Sequence, residues 1–179
     1  MSVIGLTGKK GAGKTEAAKY LASKGFIRLN FKDALIGEII SNFKPLLDDF
    51  CAHHNTDIAG LFQTKPMMMR HLMQCYGTEV RRGDDPQYWV NQYEKVLDST
   101  RNVVTDDVRF KNEAGAVWRA GGKVIRIVRK GQESTDTHIS EKEMDEIVPD
   151  ITIEVPDGDL ETMYRKLDLV LGGYNLNYL

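Results

Sequence analysis

The sequence has few cysteines and no long apolar segment. Its two cysteines, Cys51 and Cys75, are too few for a disulfide-stabilised secreted domain, so we expect a reducing, cytoplasmic environment. No apolar run approaches the roughly 20 residues that span a membrane, and no signal-peptide pattern precedes the first predicted strand. We therefore expect a soluble protein without a membrane partner.

The sequence also lacks a strong net charge. Its 24 Lys and Arg residues and 26 Asp and Glu residues give a net charge of -2, which provides no basic field for a nucleic-acid polymer. An anionic ligand must therefore be bound by local clusters. The 179 residues suffice for one core and are too few for two ordinary domains, so a single domain over 1–179 is predicted.

Apolar runs alternate with helical patterns along the chain. Strands are predicted at 3–6, 26–31, 102–106, 123–128 and 151–155, and helices at 15–23, 32–44, 65–80, 86–98, 112–120, 140–143 and 160–171. Pro45 is predicted to end the second helix, and residues 46–64 are predicted as a loop with at most a short helix. This alternation predicts an α/β fold, a five-stranded parallel sheet with helices on both faces.

A glycine-rich loop follows the first predicted strand. Residues 8–15, GKKGAGKT, match the Walker A pattern GxxxxGK[ST] at every fixed position, with a strand before and a helix after. In such a loop the backbone amides bind phosphates, Lys14 reaches the β and γ phosphates, and the Thr15 hydroxyl holds Mg²⁺. The predicted ATP-binding residues are Lys10, Gly11, Ala12, Gly13, Lys14 and Thr15. The loop predicts binding of ATP or GTP.

Two aspartates stand at the end of the third predicted strand, Asp106 as its last residue and Asp107 directly after it. In P-loop proteins an acidic residue at this place holds Mg²⁺ directly or through water. Asp106 and Asp107 are the candidates, and the alternation of side chains along a strand prevents both from facing the metal unless the strand has ended. The other aspartate would be a cap or turn residue.

The helix predicted at 65–80 carries a polar arc that could bind a phosphoryl acceptor. At 100° per residue the arc contains Arg70, Gln74, Gly77 and Arg81, and the opposite side contains Met69, Leu72, Met73, Tyr76 and Val80. Arginine can contact a phosphate with two donors, and the Gln74 amide can pair with a base edge. The same pattern fits a helix with a solvated arginine face.

Three further residues are candidates for acceptor binding. Trp89 could stack on a base or pack in the core. Lys32 and Asp33 follow the second strand, where doubly wound folds bind ligands, although Asp33 also fits a helix cap.

Cationic side chains also precede a polar segment near the fourth strand. Arg126 precedes, and Arg129 begins, a stretch at about 129–141 that is predicted either to close as a lid and exclude water or to be a solvated loop.

Four segments resemble phage-type deoxynucleoside monophosphate kinases. They are GLTGKKGAGKTEAAKYLA, RHLMQCYGTEVRRGDDPQYWV, VVTDDVRFKNEA, and KVIRIVRKG leading to THISE. The chain is also similar to animal-type phosphomevalonate kinases. The first resemblance implies a P-loop kinase fold with an acceptor-binding helical region at about 32–98 and a lid at about 129–141. It implies ATP-dependent phosphorylation of deoxynucleoside monophosphates, with Mg²⁺.

The resemblance also implies roles for individual residues. It favours Asp107 for the metal, with Asp106 as runner-up, and it favours Arg82 where the helical arc favours Arg81. The implied catalytic residues are Lys14, Arg109, Arg126 and Arg129, and the acceptor-binding candidates are Lys32, Asp33, Arg70, Gln74, Arg81, Arg82 and Trp89. His138, Ser140 and Glu141 match the family's HxSE piece without an assigned role.

Two other functions stay open at this point. One is a kinase for a non-nucleotide phosphate such as phosphomevalonate, and the other is a P-loop switch or ATPase that binds a protein partner. A homodimer is kept open as the assembly.

Overall fold

The computed structural model describes residues 2–98, 100–131 and 139–173, the last range with its side chains from residue 142 onward. The chain forms two compact units. The sheet unit consists of Met1–Asn30 and Val96–Leu179, and the helical unit is Phe31–Lys95. The single-domain description stays a prediction. No helix among the described residues combines the length and the apolar character that a bilayer crossing requires.

The elements follow one another as the alternating pattern predicts. In chain order they are β1 Val3–Thr7, α1 Lys14–Ser23, β2 Ile27–Arg28, α2 Phe31–His54, α3 Ile58–Thr64, α4 Met67–Gln74, a π-helical segment Cys75–Arg81, α5 Arg82–Asp84, α6 Tyr88–Val96, β3 Val103–Thr105, α7 Lys111–Arg119, β4 Lys123–Arg129, α8 Ile139–Asp145, β5 Ile151–Val155 and α9 Leu160–Leu171.

The sheet unit contains five parallel strands in the order β2-β3-β1-β4-β5. Helices α1 and α9 pack on one face, where Leu6, Ile125 and Leu167 belong to one buried cluster. Helix α7 packs on the other face, and a Cβ at Gly5 would lie 2.9 Å from a Val117 methyl group, so only glycine lets α7 approach β1 this closely. The predicted fold class, a parallel sheet with helices on both faces, is confirmed.

The prediction that Pro45 ends the second helix is wrong. Helix α2 continues through Pro45 to His54, with a kink at Phe43, whose φ of -120° and ψ of 18° are not helical. Because the break comes two residues before Pro45, the proline lies in the first turn after the kink, where its missing N–H costs no hydrogen bond. The predicted loop at 46–64 is therefore mostly helical.

The helix predicted at 65–80 is also corrected at its C-terminal half. The α-helical geometry ends at Gln74, and Cys75–Arg81 forms a π-helical segment. A π turn holds more residues than an α turn, so the side chains after Gln74 rotate away from the predicted arc. Gly77, predicted on the polar arc, is buried against Leu35, whereas Val80, predicted on the apolar side, is 43% exposed.

Candidate active site

The glycine-rich loop joins β1 to α1 in the sheet unit. Gly8 has a φ of 134°, and a Cβ there would collide with the carbonyl oxygen of Ile127. Gly13 has a φ of 102° and immediately precedes α1, so the first backbone N–H groups of this helix follow directly on the loop. Free N–H groups and the helix dipole at such a terminus favour a bound anion.

Lys14 lies folded over this loop. Its Nζ donates to the carbonyl oxygen of Gly8 and, at 2.9 Å, to that of Lys9. The other predicted loop residues surround it: Lys10, Gly11 and Thr15 are exposed, and Ala12 is buried. The loop therefore presents one ammonium group and one exposed hydroxyl beside a run of backbone amides.

The two aspartates after β3 have different surroundings. Asp106 is buried, and its Oδ2 lies 2.7 Å from Nη2 of Arg28. Its backbone N–H donates to Oδ1 of Asn30 at 2.8 Å. Asp107 is half-buried. Because β3 ends at Thr105, the alternation rule no longer applies to the pair.

Arg109 stands in the turn that leads into α7. The buried carboxylate of Glu113 accepts hydrogen bonds from the backbone N–H groups of Arg109, at 2.7 Å, and Phe110, at 3.1 Å. These bonds satisfy two donors before the helix and fix the backbone of the turn. Sequence reasoning did not single out Glu113, although its place three residues after Phe110 is the capping-box spacing.

The two arginines of β4 bind the backbone differently. Nη2 of Arg126 donates to the carbonyl oxygens of Met144, at 2.8 Å, and Ile147, at 2.7 Å. Arg129 forms an ion pair with Asp157 and donates to the carbonyl oxygen of Gly11 at 3.4 Å. Arg129 thus lies at the glycine-rich loop, and Arg126 holds the segment that includes the end of α8.

Most of the predicted lid lies outside the described residues. These include residues 132–138, with His138, and the side chains of Ser140 and Glu141. Their roles stay predictions.

A cleft of about 200 Å³ opens beside the glycine-rich loop. Residues 11–13 line one part of it, the turn 155–160 lines another, and Arg129 and Met163 contribute side chains. Sequence reasoning missed this turn. The signal was available, because PDG is a turn sequence and it follows β5 at the carboxyl edge of a parallel sheet, where ligands bind.

Helix α4 of the helical unit exposes two of the predicted acceptor residues. Arg70 and Gln74 are exposed, and Nε of Arg70 donates to the carbonyl oxygen of Lys65 at 2.9 Å. At the start of α2, Lys32 is half-buried and Asp33 is exposed in the first turn.

Arg81 and Arg82 have distinct partners. Nε of Arg81 donates to Oε2 of Glu38 at 2.9 Å, and its Nη2 donates to the Tyr76 hydroxyl at 2.8 Å. Nη1 of Arg82 donates to the carbonyl oxygen of Pro86 at 3.3 Å. Both arginines are half-buried.

Trp89 lies in the core of the helical unit. It is 3% exposed, and its indole N–H donates to the carbonyl oxygen of Gly77 at 2.8 Å. Of the two roles that the sequence allows, this burial and hydrogen bond fit the packing role. Tyr88, its neighbour, is half-buried.

A family model described as Deoxynucleotide monophosphate kinase matches residues 47–167. A protein of Acanthamoeba polyphaga mimivirus, to which the same kinase name is provisionally given, is 30% identical over 190 residues, which cover 93% of this chain and 94% of that protein. The deoxynucleotide monophosphate kinase of Escherichia phage RB69 is 35% identical over 109 residues, which cover 58% of this chain and 44% of the relative. The deoxynucleotide monophosphate kinase of Enterobacteria phage T4 is 33% identical over 105 residues, which cover 55% of this chain and 43% of the relative. The matches thus span less than half the length of each phage relative.

Two solved structures are also similar in outline. TT1252 from Thermus thermophilus has a TM-score of 0.47 at 20% identity, covering 96% of this chain and 97% of its own. Dephospho-CoA kinase from Campylobacter jejuni has a TM-score of 0.49 at 13% identity, and the match covers 99% of this chain and 98% of that protein. Family membership rests on the sequence matches. With a family model that spans more than half of the chain and a relative that aligns over nearly all of it, this chain belongs to the deoxynucleotide monophosphate kinase family.

Proposed function

We propose that this protein transfers the γ-phosphoryl group of ATP to a deoxynucleoside monophosphate and releases ADP and the deoxynucleoside diphosphate. The observation that carries the proposal is the Walker A loop, with Lys14 folded over it, in a chain of this kinase family.

Lys14 would change partners when the triphosphate binds. Its ammonium group now donates to the carbonyl oxygens of Gly8 and Lys9. A bound phosphate chain offers ionised oxygens, which accept stronger hydrogen bonds than neutral carbonyls. Lys14 would then neutralise charge on the β and γ phosphates, which is the main contribution a protein makes to phosphoryl transfer.

The residues near the loop fit Mg²⁺. The exposed Thr15 hydroxyl and the carboxylates of Asp106 and Asp107 are hard oxygen ligands, and we favour Asp107 for the metal, as the family resemblance implies, with Asp106 as runner-up. The described residues contain no cluster of three His, Cys, Asp or Glu, which agrees with an ion that keeps water and phosphate oxygens as ligands. When bound, Mg²⁺ would neutralise charge on the phosphate oxygens.

The cleft beside the loop would hold the base of ATP. It is lined by residues 11–13 and by the turn 155–160, and the Arg129 guanidinium is held there by Asp157. A planar guanidinium can stack on a base. We propose that Arg129 contributes to ATP binding in addition to steadying the transferred group with Arg126 and Arg109.

The acceptor would bind to the helical unit. Arg70, Arg81 and Arg82 are the cations proposed for the monophosphate, and Gln74 is proposed for the base edge. Lys32 and Asp33, in the first turn of α2, are further proposed contacts. The attacking oxygen belongs to a phosphate that is already ionised near neutral pH. The reaction therefore requires positioning and charge neutralisation more than a strong general base.

The proposal is tested by incubating the protein with ATP, Mg²⁺ and each of dAMP, dGMP, dCMP and dTMP, and by separating the products by anion-exchange chromatography. We expect a deoxynucleoside diphosphate and ADP from at least one acceptor. The Lys14→Ala variant should lose about 100-fold or more in kcat. The matched control is Lys19→Ala on the same helix, where the lysine pairs with Glu16 at the surface, and it should stay active.

The proposal would be contradicted if none of the four acceptors yielded a diphosphate. Phosphorylation of phosphomevalonate alone would select the second kinase type, and ATP hydrolysis that needs a protein partner would select a switch. A homodimer and action in the host cytoplasm stay predictions.

A further inference from the structure

A polar cluster lies inside the helical unit around one carboxylate. We define the Glu38 cluster as Glu38, Asn42, Tyr76, Arg81 and Tyr88. Oε1 of Glu38 accepts a hydrogen bond from the Tyr88 hydroxyl, and Oε2 accepts from the Tyr76 hydroxyl at 3.0 Å and from Nε of Arg81 at 2.9 Å. Asn42 donates to the Tyr76 hydroxyl at 2.9 Å. Both oxygens of Glu38 are thus bound by side chains from other elements.

The cluster keeps Glu38 ionised. Burial raises the pKa of Glu38, but hydrogen bonds from Tyr88 and Tyr76, together with the charge of Arg81, lower it more, so the pKa lies below its ordinary value. The hydrogen bond to Glu38 raises the pKa of Tyr88, which therefore stays protonated as the donor. Near neutral pH the cluster therefore contains an ion pair between Glu38 and Arg81, to which the Tyr88 hydroxyl donates.

The guanidinium of Arg81 is fixed from several sides. Its central carbon lies 5.2 Å from the centre of the Tyr76 ring and 5.0 Å from that of the Tyr88 ring. Nε and Nη2 donate to Glu38 and Tyr76. Among the residues that the structure describes, Nη1 has no hydrogen-bond partner, and the side chain is 33% exposed.

The π-helical segment is what brings Tyr76 and Arg81 together. In an α-helix two residues five apart point about 140° away from each other, at 100° per residue. In a π-helix the backbone bonds run from i to i+5, so residues five apart lie on the same side. The segment Cys75–Arg81 thus places the Tyr76 hydroxyl against the Arg81 guanidinium. Such segments occur frequently at functional sites.

We propose that Glu38 is a positioning residue of the acceptor site: with Tyr76 and Tyr88 it holds Arg81 so that the Nη1 edge binds the phosphate of the deoxynucleoside monophosphate. The inference rests on the proposed function. It assigns to Arg81 the phosphate contact that the sequence left open between Arg81 and Arg82. A guanidinium already held in one orientation loses little conformational entropy when the phosphate binds, which strengthens binding without a further contact.

The first experiment compares Glu38→Gln with the wild-type protein in steady-state kinetics. Glutamine keeps the length of the side chain but removes the charge that orients Arg81. We expect KM for the acceptor to rise about tenfold, and KM for ATP to change less than twofold. The matched control is Asp48→Asn, which removes a carboxylate from the same helix, where Asp48 pairs with Lys44 at the surface 2.8 Å away. It should leave both constants unchanged.

A double-mutant cycle separates positioning from a merely structural role. If Glu38 acts through Arg81, then Glu38→Gln should have little further effect on the acceptor KM once Arg81→Lys is present. Additive effects of the two changes would overturn the proposal. So would equal increases of the two KM values in Glu38→Gln, because this would indicate a general disturbance of the fold.

A second variant covers the case in which Glu38→Gln does not fold. Tyr88→Phe removes one hydrogen bond to Glu38 and keeps the ring beside Arg81, so a two- to fivefold increase in acceptor KM is expected. An unchanged acceptor KM in this variant would also contradict the proposal. The proposed function fails only if the wild-type protein phosphorylates none of the four monophosphates. The further inference fails in a different way, when the wild-type protein is active but the Glu38 and Tyr88 variants have the same acceptor KM as the wild type.

Discussion

At the scale of single residues, Thr7 at the end of β1 is fully buried, and its hydroxyl makes no hydrogen bond to any residue that the structure describes. Thr105 at the end of the neighbouring strand β3 is equally buried, but its hydroxyl donates to the carbonyl oxygen of Leu29 at 2.7 Å. A buried polar group without a partner costs about 1–3 kcal/mol. The two threonines therefore contribute to stability with opposite signs.

Replacement of Thr7 by valine should stabilise the protein. Valine has nearly the same shape, so the change removes the unsatisfied hydroxyl without opening a cavity, and we expect the free energy of unfolding to rise by about 1 kcal/mol. Thr105→Val should lower it by about 1 kcal/mol because it removes a satisfied bond. Urea unfolding followed by circular dichroism measures both. A loss of stability in Thr7→Val would contradict the expectation.

The candidate site could be predicted where its residues are close in sequence. The Walker A loop is a local pattern, so its bounds and Lys14 follow from the sequence alone. Glu38 was missed because its partners, Tyr76, Arg81 and Tyr88, lie 38 to 50 positions away, and a carboxylate on a helix gives no sign of them. The core position of Trp89 likewise depends on tertiary packing.

At the scale of elements, the long kinked helix α2 carries a glycine on its exposed side. A Cβ at Gly37 would meet no atom within 4 Å, whereas a Cβ at Gly8 would collide with the carbonyl oxygen of Ile127. The two glycines therefore differ in kind: Gly37 only weakens a helix, and Gly8 is required by the path of the chain.

Gly37→Ala should raise the free energy of unfolding by about 0.5–1 kcal/mol, since alanine restricts the unfolded chain and favours the helix. Gly8→Ala should destabilise the protein by several times that amount, because both its φ of 134° and the collision oppose a side chain. Thermal unfolding of the two variants side by side checks the contrast. Similar midpoints for both would show that the loop tolerates a Cβ.

Element types were easier to predict than element ends. All five strands were predicted because apolar runs alternate with helical periods. The kink before Pro45 and the π-helical segment were missed. The sequence of each has a helical pattern, and the backbone departs from a regular α-helix only over a short stretch. What decides such a turn is the packing of neighbouring helices, for example Leu35 against Gly77.

At the scale of the whole molecule, depressed carboxyl pKa values occur in both units. In the sheet unit, a hydrogen bond from Tyr20 and contacts with Lys24 lower the pKa of Asp168, and hydrogen bonds from Thr162 lower that of Asp159. In the helical unit the Glu38 pKa is also lowered. Each carboxyl binds fewer protons in the folded state than in the unfolded state at acidic pH.

Stability should therefore fall on acidification. A carboxyl with a depressed folded pKa stabilises the fold above its unfolded pKa, and this contribution is lost as pH falls through the folded value. We expect the free energy of unfolding from urea titrations to decrease between about pH 5 and about pH 3. Asp168→Asn should make the decrease shallower. A constant free energy over that range would rule out these carboxyls as contributors.

The positions of the two tryptophans give each unit its own fluorophore. Trp89 is 3% exposed within the helical unit, and Trp118 is 40% exposed in the sheet unit, where its indole N–H donates to Asp150 at 2.8 Å. A buried indole emits at shorter wavelength than a solvated one. One emission spectrum therefore reports on both units, and Trp118→Phe leaves a protein whose tryptophan fluorescence follows the helical unit alone.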